Sequence, residues 1–587
     1  MEIYHPNLNS LWADLIVEEL LRTGVSYVVI APGSRNSPLV AAFARNHRIK
    51  PVVHFDERGG AFHAVGYGRG TRKPAAVVCT SGTAAAELLP AVIEASRGFV
   101  PLLLLTADRP PELRHCGANQ TIDQVKLFGG AVRWFFDVPC PAESIPPQAV
   151  LTLVDQAVYR AVGSPPGPVH LNCMFREPLA PTGPKKDFSP YLAPVRSWLS
   201  GDGPFTHYSP KRSDSSAAAA EVLRLLEECE RGLLVFGELA GESQRRSARL
   251  LARRMAWPAL PDILSGLRLG GSIPPFIPLF EHLVECKSFR ESCRPDSVLQ
   301  IGGPLVSKAF GRWMDSVRPS KYLLVADHPE RQDPEHLVTH RFEVDPARFC
   351  DALAALWPCR STEPWLGFWQ RAEEAACRVI SREVWETDRL SEPWVIWAVS
   401  RHIGAEHFLF FGNSLPIRQA GLFADRSGSA PRVGANRGAS GIDGIVASAS
   451  GMAAAFGAQG TVVLGDLSML HDLNSLALVH KLALPLTLVV INNHGGGIFS
   501  LLPVSECKDI FDTFWVAPHS YSFEGVCRQF GIRYERPATC EAFMKAYLAS
   551  FEAPEPVLIE VETDSAANKW LYDRIKQAVA QEVEKIR

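Results

Sequence analysis

The chain has 587 residues, 47% of them hydrophobic and 21% charged, with a formal net charge of -3, which is the make-up of an ordinary globular protein of several domains. The near-neutral charge and the lack of a long basic run argue against a nucleic-acid binder, and apolar runs such as 99–105 and 484–491 are too short to span a bilayer. The 13 cysteines are scattered without a C-x-x-C pair, so they read as reduced core thiols of a cytoplasmic protein rather than a disulfide or zinc framework.

The first block, residues 1–187, opens on an amphipathic helical pattern with no signal-peptide profile. It then alternates short apolar runs with helical periods: a strand at 25–30, a strand at 75–79, a helical stretch at 84–95 and a strand at 99–106. This spacing predicts parallel βαβ units. A Pro-, Ser-, Gly- and Asp-rich stretch, 188–216, reads as a linker. The second block, 217–364, has strands at 232–237 and 297–302, and the third, 365–587, has strands at 408–412, 461–464 and 486–491. The expectation is an α/β protein of three doubly wound domains with parallel sheets, whose ligands bind beyond the carboxyl ends of the strands.

In the third block the strand 461–464 runs into Gly465-Asp466, and 486–491 runs into Asn492-Asn493. Glycine allows close backbone approach to a ligand, and a carboxylate with an amide oxygen makes a hard donor pair suited to Mg2+. A lone Gly-Asp at a strand end is commonplace. Gly-Asp followed after 468–491 by Asn-Asn, however, resembles the diphosphate–metal motif of the thiamine-diphosphate-dependent enzymes, with Leu467 where glycine is usual. The resemblance implies that Asp466, Asn493 and the carbonyl of Gly495 ligate Mg2+ (or Mn2+), and that Ser414, Leu415, Leu467, Ser468, Ile498 and Phe499 contact the cofactor. In the first block, His54-Phe55-Asp56-Glu57-Arg58 ends a short apolar run, with Thr80-Ser81-Gly82-Thr83 downstream. That combination resembles the pyrimidine-binding domain of the same enzymes and implies that Glu57 hydrogen-bonds the aminopyrimidine and activates the cofactor.

Longer motifs at 31–39, 106–110, 117–122, 167–172, 412–418, 436–444 and 495–503 are similar to those of the 2-succinyl-5-enolpyruvyl-6-hydroxy-3-cyclohexene-1-carboxylate synthases of menaquinone biosynthesis. The resemblance implies decarboxylation of 2-oxoglutarate and 1,4-addition of the remaining unit to isochorismate. It also implies a homodimer or homotetramer with the sites at the subunit interface. Both substrates are dicarboxylates, and the positions that match the family's pattern are cationic: Arg35, Arg109, Lys308, Arg418 and Arg437. Ser34, Asn119 and Gln120 would add polar contacts, Ile442 would hold the cofactor bent, and Phe499 and Leu502 would line an apolar wall. Most of the 60 Lys and Arg residues are ordinary surface charges, so these five stand out only through their motifs. Arg58 and Asp108 read as ion-pair partners, and His115 and His494 have no assigned role. No pair of adjacent histidines is present, which disfavours a decarboxylase that simply releases an aldehyde. Two alternatives are another carboligase, such as an acetolactate synthase, and a non-catalytic nucleotide-binding protein. The latter is weakened because Gly66-Tyr67-Gly68-Arg69-Gly70 lacks dinucleotide-loop spacing.

Overall fold

Apolar runs ending in small or polar residues become the strands of three parallel sheets in a computed structural model, which describes residues 2–209, 213–271, 275–358, 363–429 and 432–586. The first sheet contains β1 (Tyr27–Ile30), β2 (Lys50–Val53), β3 (Ala75–Cys79), β4 (Leu102–Asp108), β5 (Trp134–Val138) and β6 (Pro168–Met174), in the order 2-1-3-4-6-5. The second contains β7 (Gly232–Phe236), β8 (Ala259–Pro261), β9 (Ser297–Ile301), β10 (Lys321–Ala326) and β11 (His340–Glu343), in the order 8-7-9-10-11. The third contains β12 (Phe408–Phe411), β13 (Arg432–Gly434), β14 (Gly460–Gly465), β15 (Leu486–Asn492), β16 (Arg533–Glu535) and β17 (Val557–Glu562), in the order 13-12-14-15-17-16. The two six-stranded sheets therefore share one strand order. All seven residues of β4 and of β15 are buried, as expected for strands covered on both faces.

The chain divides into two compact units. The first comprises the described residues to 209 with Asn436–Gly457 and His471–Ala483, and the second the described parts of 213–435 with Ala458–Leu470 and 484–586. The stretch expected to be a linker carries two short helices, Ser189–Leu192 and Arg196–Ser200. Leu192, Val195 and Trp198 recur at a helical interval and are buried, and the Trp198 indole donates to Glu19 at 2.6 Å. The helical stretch expected at 84–95 is split into Thr83–Ala86 and Leu89–Arg97, the second piece having Pro90 in its first turn. Every cysteine among the described residues is a free thiol. Among the described residues no helix is long and apolar enough to cross a membrane.

In the first unit, the helix Glu57–Thr71 crosses the helix Ile445–Phe456 with backbone nearly touching backbone. A methyl group at Gly66 would lie 1.9 Å from the Ser448 carbonyl oxygen, and one at Gly451 would lie 1.9 Å from that of His63. Both glycines are required by the close approach, despite a helix propensity about 1 kcal/mol below alanine. The His63 ring sits 2.7 Å from the Ser450 hydroxyl, and burial pushes its pKa down to about 3, so the imidazole is neutral in this crossing. Gly66→Ala or Gly451→Ala is expected to destabilise the protein by about 3 kcal/mol through overpacking. Gly525→Ala, at a helical position with no described atom within 4 Å of an added methyl, is expected to leave the Tm unchanged or slightly higher. Thermal unfolding of the three variants checks this, and equal Tm values would refute the crossing.

Candidate functional site

Glu57 is the first residue of its helix, immediately after the Asp56 N-cap, whose carboxylate accepts from Gly59 N at 3.1 Å. Asp56 also accepts from Asn474 Nδ2 at 2.9 Å, so the start of the helix is fixed on both sides. Glu57 is half-buried, and burial raises its pKa above the ordinary carboxylate value, with Asp56 and Glu87 adding to the shift. Arg58 donates to the carbonyl of His471 at 2.8 Å, a different partner from the carboxylate expected.

The carboxyl ends of β1, β3 and β4 bring together a cationic group of residues. Arg109 follows β4, is 9% exposed, and donates to the Ser81 hydroxyl. Gln120 closes over the same turn, donating from Nε2 to the Ser81 carbonyl at 3.0 Å while its own carbonyl accepts from Ser81 Oγ at 3.2 Å. Gln124 fastens the loop from beneath, its amide oxygen accepting from Gly82 N at 3.0 Å. Arg35 donates to the Phe175 carbonyl at 3.0 Å and stands 3.5 Å from the exposed Glu177 carboxylate. Burial lowers the pKa of Arg109, and the nearby charge of Arg35 lowers it further. Ser34 and Asn119 are exposed beside these groups in sequence. Asp108 pairs with Arg114 at 2.6 Å, as the sequence suggested.

Arg437 and Ile442, both half-buried, sit in the loop that precedes the helix Ile445–Phe456. That loop is tied down by Glu94, which is 2% exposed and accepts from Gly438 N at 2.9 Å and Ala439 N at 2.7 Å. Arg69 pairs with the same carboxylate at 3.0 Å. Burial nevertheless pushes Glu94 above its usual range, against the pull of Arg69 and the backbone donors.

In the second unit, β12 runs through Gly412-Asn413 to Ser414, which has φ 71° and ψ -123°, and the helix Leu415–Phe423 begins immediately after it. A non-glycine residue there stores about 1–3 kcal/mol of backbone strain, of the kind found at ligand-binding turns. Arg418 is half-buried one turn later and donates to the Ser414 carbonyl. Its pKa is lowered by burial, with Glu281 acting in the opposite direction. The far end of this helix is capped by Arg268, 1% exposed, which donates to the carbonyls of Gly421 at 2.7 Å and Ala424 at 3.0 Å. Lys308 is exposed at the start of the helix Lys308–Val317, behind the N-cap Ser307.

β14 and β15 are neighbours with Gly465 opposite Ile491, so Asp466 and Asn493 leave adjacent strand ends. Asp466 is 2% exposed. It accepts from Leu467 N at 2.6 Å and Gly495 N at 2.9 Å, and His519 Nε2 lies 3.3 Å away. Burial raises its pKa. Asn493 donates from Nδ2 to Glu392 at 3.0 Å, and its Oδ1 is buried without a hydrogen-bond partner among the described residues. Gly495 has φ 145°, and a methyl there would lie 2.3 Å from the Val516 carbonyl oxygen, so only glycine makes this turn. A buried carboxylate, an orphaned amide oxygen and the carbonyls of a glycine turn form a donor set of the kind hard divalent cations take. Among the described residues no cluster of three or more His, Cys, Asp or Glu side chains suits a metal. Ser468 is buried, and Leu467, Ile498 and Phe499 are half-buried around the same strand ends. His494 sits 2.9 Å from Glu562.

Glu94, Glu392, His519 and Arg268 lie behind these residues and were not singled out from the sequence. Each is a lone charged or polar residue outside the motifs, and only the folded chain shows what it touches.

Residues 12–127 match the thiamine pyrophosphate enzyme N-terminal binding domain, 189–411 the middle domain, and 432–561 the C-terminal binding domain. The chain is 47% identical over 576 residues to the 2-succinyl-5-enolpyruvyl-6-hydroxy-3-cyclohexene-1-carboxylate synthase of Rubrobacter xylanophilus, covering 98% of this chain and 99% of that one. It is 42% identical to the synthase of the same name from Salinibacter ruber (99% and 98% covered) and 38% identical to that from Pelodictyon phaeoclathratiforme (96% and 94% covered). The chain therefore belongs to the thiamine-pyrophosphate-dependent enzymes and, among them, to the family of the 2-succinyl-5-enolpyruvyl-6-hydroxy-3-cyclohexene-1-carboxylate synthases.

Proposed function

We propose that the chain, acting in the cytoplasm, decarboxylates 2-oxoglutarate and joins the remaining four-carbon unit to isochorismate by 1,4-addition, releasing carbon dioxide and forming the product for which the family is named. The observation that carries this reading is similarity to the synthases over nearly the whole of both chains. Bound thiamine diphosphate supplies the electron sink that decarboxylation and carbon–carbon bond formation require.

The chain's own residues position the groups and tune their charge. Asp466, Asn493 and the Gly495 carbonyl would hold Mg2+ or Mn2+, and the orphaned Asn493 oxygen is the feature that supports this assignment. Ser414, Leu415, Leu467, Ser468, Ile442, Ile498 and Phe499 would contact the cofactor. Glu57 would hold a proton shared with N1′ of the aminopyrimidine, a role suited to a carboxyl whose pKa is raised by burial. Arg35, Arg109, Lys308, Arg418 and Arg437 would receive the substrate carboxylates, with Ser34, Asn119 and Gln120 as polar neighbours. We assign the blocks 1–187, 217–364 and 365–587 to pyrimidine-binding, central and diphosphate-binding domains. We also assign a homodimer or homotetramer, with each site shared between two copies.

The deciding experiment follows 2-oxoglutarate consumption by the purified chain with thiamine diphosphate and Mg2+, with and without isochorismate. Turnover that depends on isochorismate is expected, whereas activity on pyruvate alone would point to an acetolactate-forming enzyme. Glu57→Gln is expected to slow proton exchange at C2 of bound thiamine diphosphate by about 100-fold or more while leaving cofactor affinity largely intact. Asp466→Ala should do the reverse, weakening metal-dependent cofactor binding by more than about tenfold. The opposite pattern would exchange or remove these roles. Activity should co-elute with a dimer or larger species in light-scattering chromatography, and an active monomer would overturn the shared site.

A further inference from the structure

Glu392 is 1% exposed and begins the helix Glu392–His402, where the positive end of the helix dipole favours a carboxylate. Four side chains donate to it. Asn493 Nδ2 at 3.0 Å and Thr563 Oγ1 at 3.3 Å reach one oxygen, while Asn568 Nδ2 at 3.1 Å and the Gln419 amide reach the other. These donors come from three separate segments of the second unit, so the carboxylate cannot turn without breaking several bonds at once.

We propose that Glu392 is the positioning residue that fixes which end of the Asn493 side-chain amide faces the divalent cation. The inference rests on the reading of Asn493 as a metal ligand. The two ends of an asparagine amide are nearly the same size, but only the oxygen can ligate a cation. A carboxylate accepts hydrogen bonds and donates none, so the amide NH2 must face Glu392. The reverse orientation would set two acceptor oxygens against each other at hydrogen-bond distance. Fixing the NH2 leaves Oδ1 buried and without a partner among the described residues, the state in which it is found. Supporting side chains behind metal ligands commonly act in this way.

The test measures Mn2+ affinity from the electron paramagnetic resonance signal of free Mn2+, with the full chain and thiamine diphosphate present, independently of turnover. Glu392→Ala is expected to weaken Mn2+ binding by about 10- to 100-fold when residue 493 is asparagine. In an Asn493→Asp background the same substitution should cost nothing, because the two oxygens of a carboxylate are equivalent and need no orienting. Glu392→Gln keeps the side-chain volume and should show the same dependence on residue 493 at smaller amplitude, which guards against misfolding of the alanine variant. Equal losses in both backgrounds would assign Glu392 a purely structural role and overturn the proposal. Unchanged binding in Glu392→Ala, alongside a loss in Asn493→Ala, would overturn it while sparing the metal site. Unchanged binding in Asn493→Ala would dismiss the metal reading and this inference with it.

Discussion

A carboxylate removed from water must be met by donors, and much of the candidate site is organised by this requirement. Glu94 draws in the backbone of Gly438 and Ala439, fixing the loop of Arg437 and Ile442. Asp472, fully buried with its pKa raised to about 6 by burial, accepts from Ala447 N at 3.0 Å and Ser475 Oγ at 2.7 Å. Asp466 draws Gly495 N toward the end of β14, and Glu392 gathers four side chains. Gly438, Ala439, Asn493 and Gly495 are themselves motif residues, and Gln419 directly follows one. The carboxylates thus convert an electrostatic cost into loop geometry.

The repeated strand order gives this arrangement its frame. In both six-stranded sheets the order 2-1-3-4-6-5 places the first, third and fourth strands side by side, all parallel, so their carboxyl ends open on one edge. In the first sheet that edge leads to the Ser34–Arg35 turn, the Ser81 turn and Arg109. In the third sheet it leads to Ser414, Asp466 and Asn493. The same backbone plan presents Arg35 and Arg109 in one unit, and Arg418 together with hard oxygen donors in the other, and the difference lies in the few residues after each strand.

Much of the frame was legible in the sequence because burial on both faces of a parallel sheet leaves continuous apolar runs, and these marked β3, β4, β14 and β15 to within a few residues. The strand ends that carry the candidate site residues were legible where those residues stand consecutively, as in Gly465-Asp466 and Asn492-Asn493. The short helices at 189–192 and 196–200 were not legible because proline and glycine in the surrounding stretch mask three apolar side chains spaced to pack. The grouping of Asn436–Gly457 and His471–Ala483 with the N-terminal block was not legible, since it depends on glycines at a helix crossing rather than on local pattern. Glu94 and Glu392 were invisible for a related reason. A single buried acid has no period, and its meaning lies in partners up to 345 positions away.

Arg109 shows how a charge can be kept available inside a protein. Its neighbour Asp108 is the obvious counter-ion, but that carboxylate is already engaged by Arg114 at 2.6 Å, by Asn172 Nδ2 at 2.9 Å and by the Arg109 backbone N–H at 2.7 Å. Arg114, held by both Asp108 and Asp137, has its pKa raised by them, whereas that of Arg109 is lowered by burial and by Arg35. Arg109 instead bonds a neutral hydroxyl, and Arg35 bonds a neutral carbonyl and lies near the exposed Glu177 carboxylate. Two neighbouring guanidinium groups whose charge the protein neutralises incompletely gain from an incoming carboxylate what Arg114 already has from Asp108 and Asp137. In a site proposed to take two dicarboxylates, that imbalance favours substrate over any internal partner. It follows from giving Asp108 to Arg114 rather than to the residue beside it.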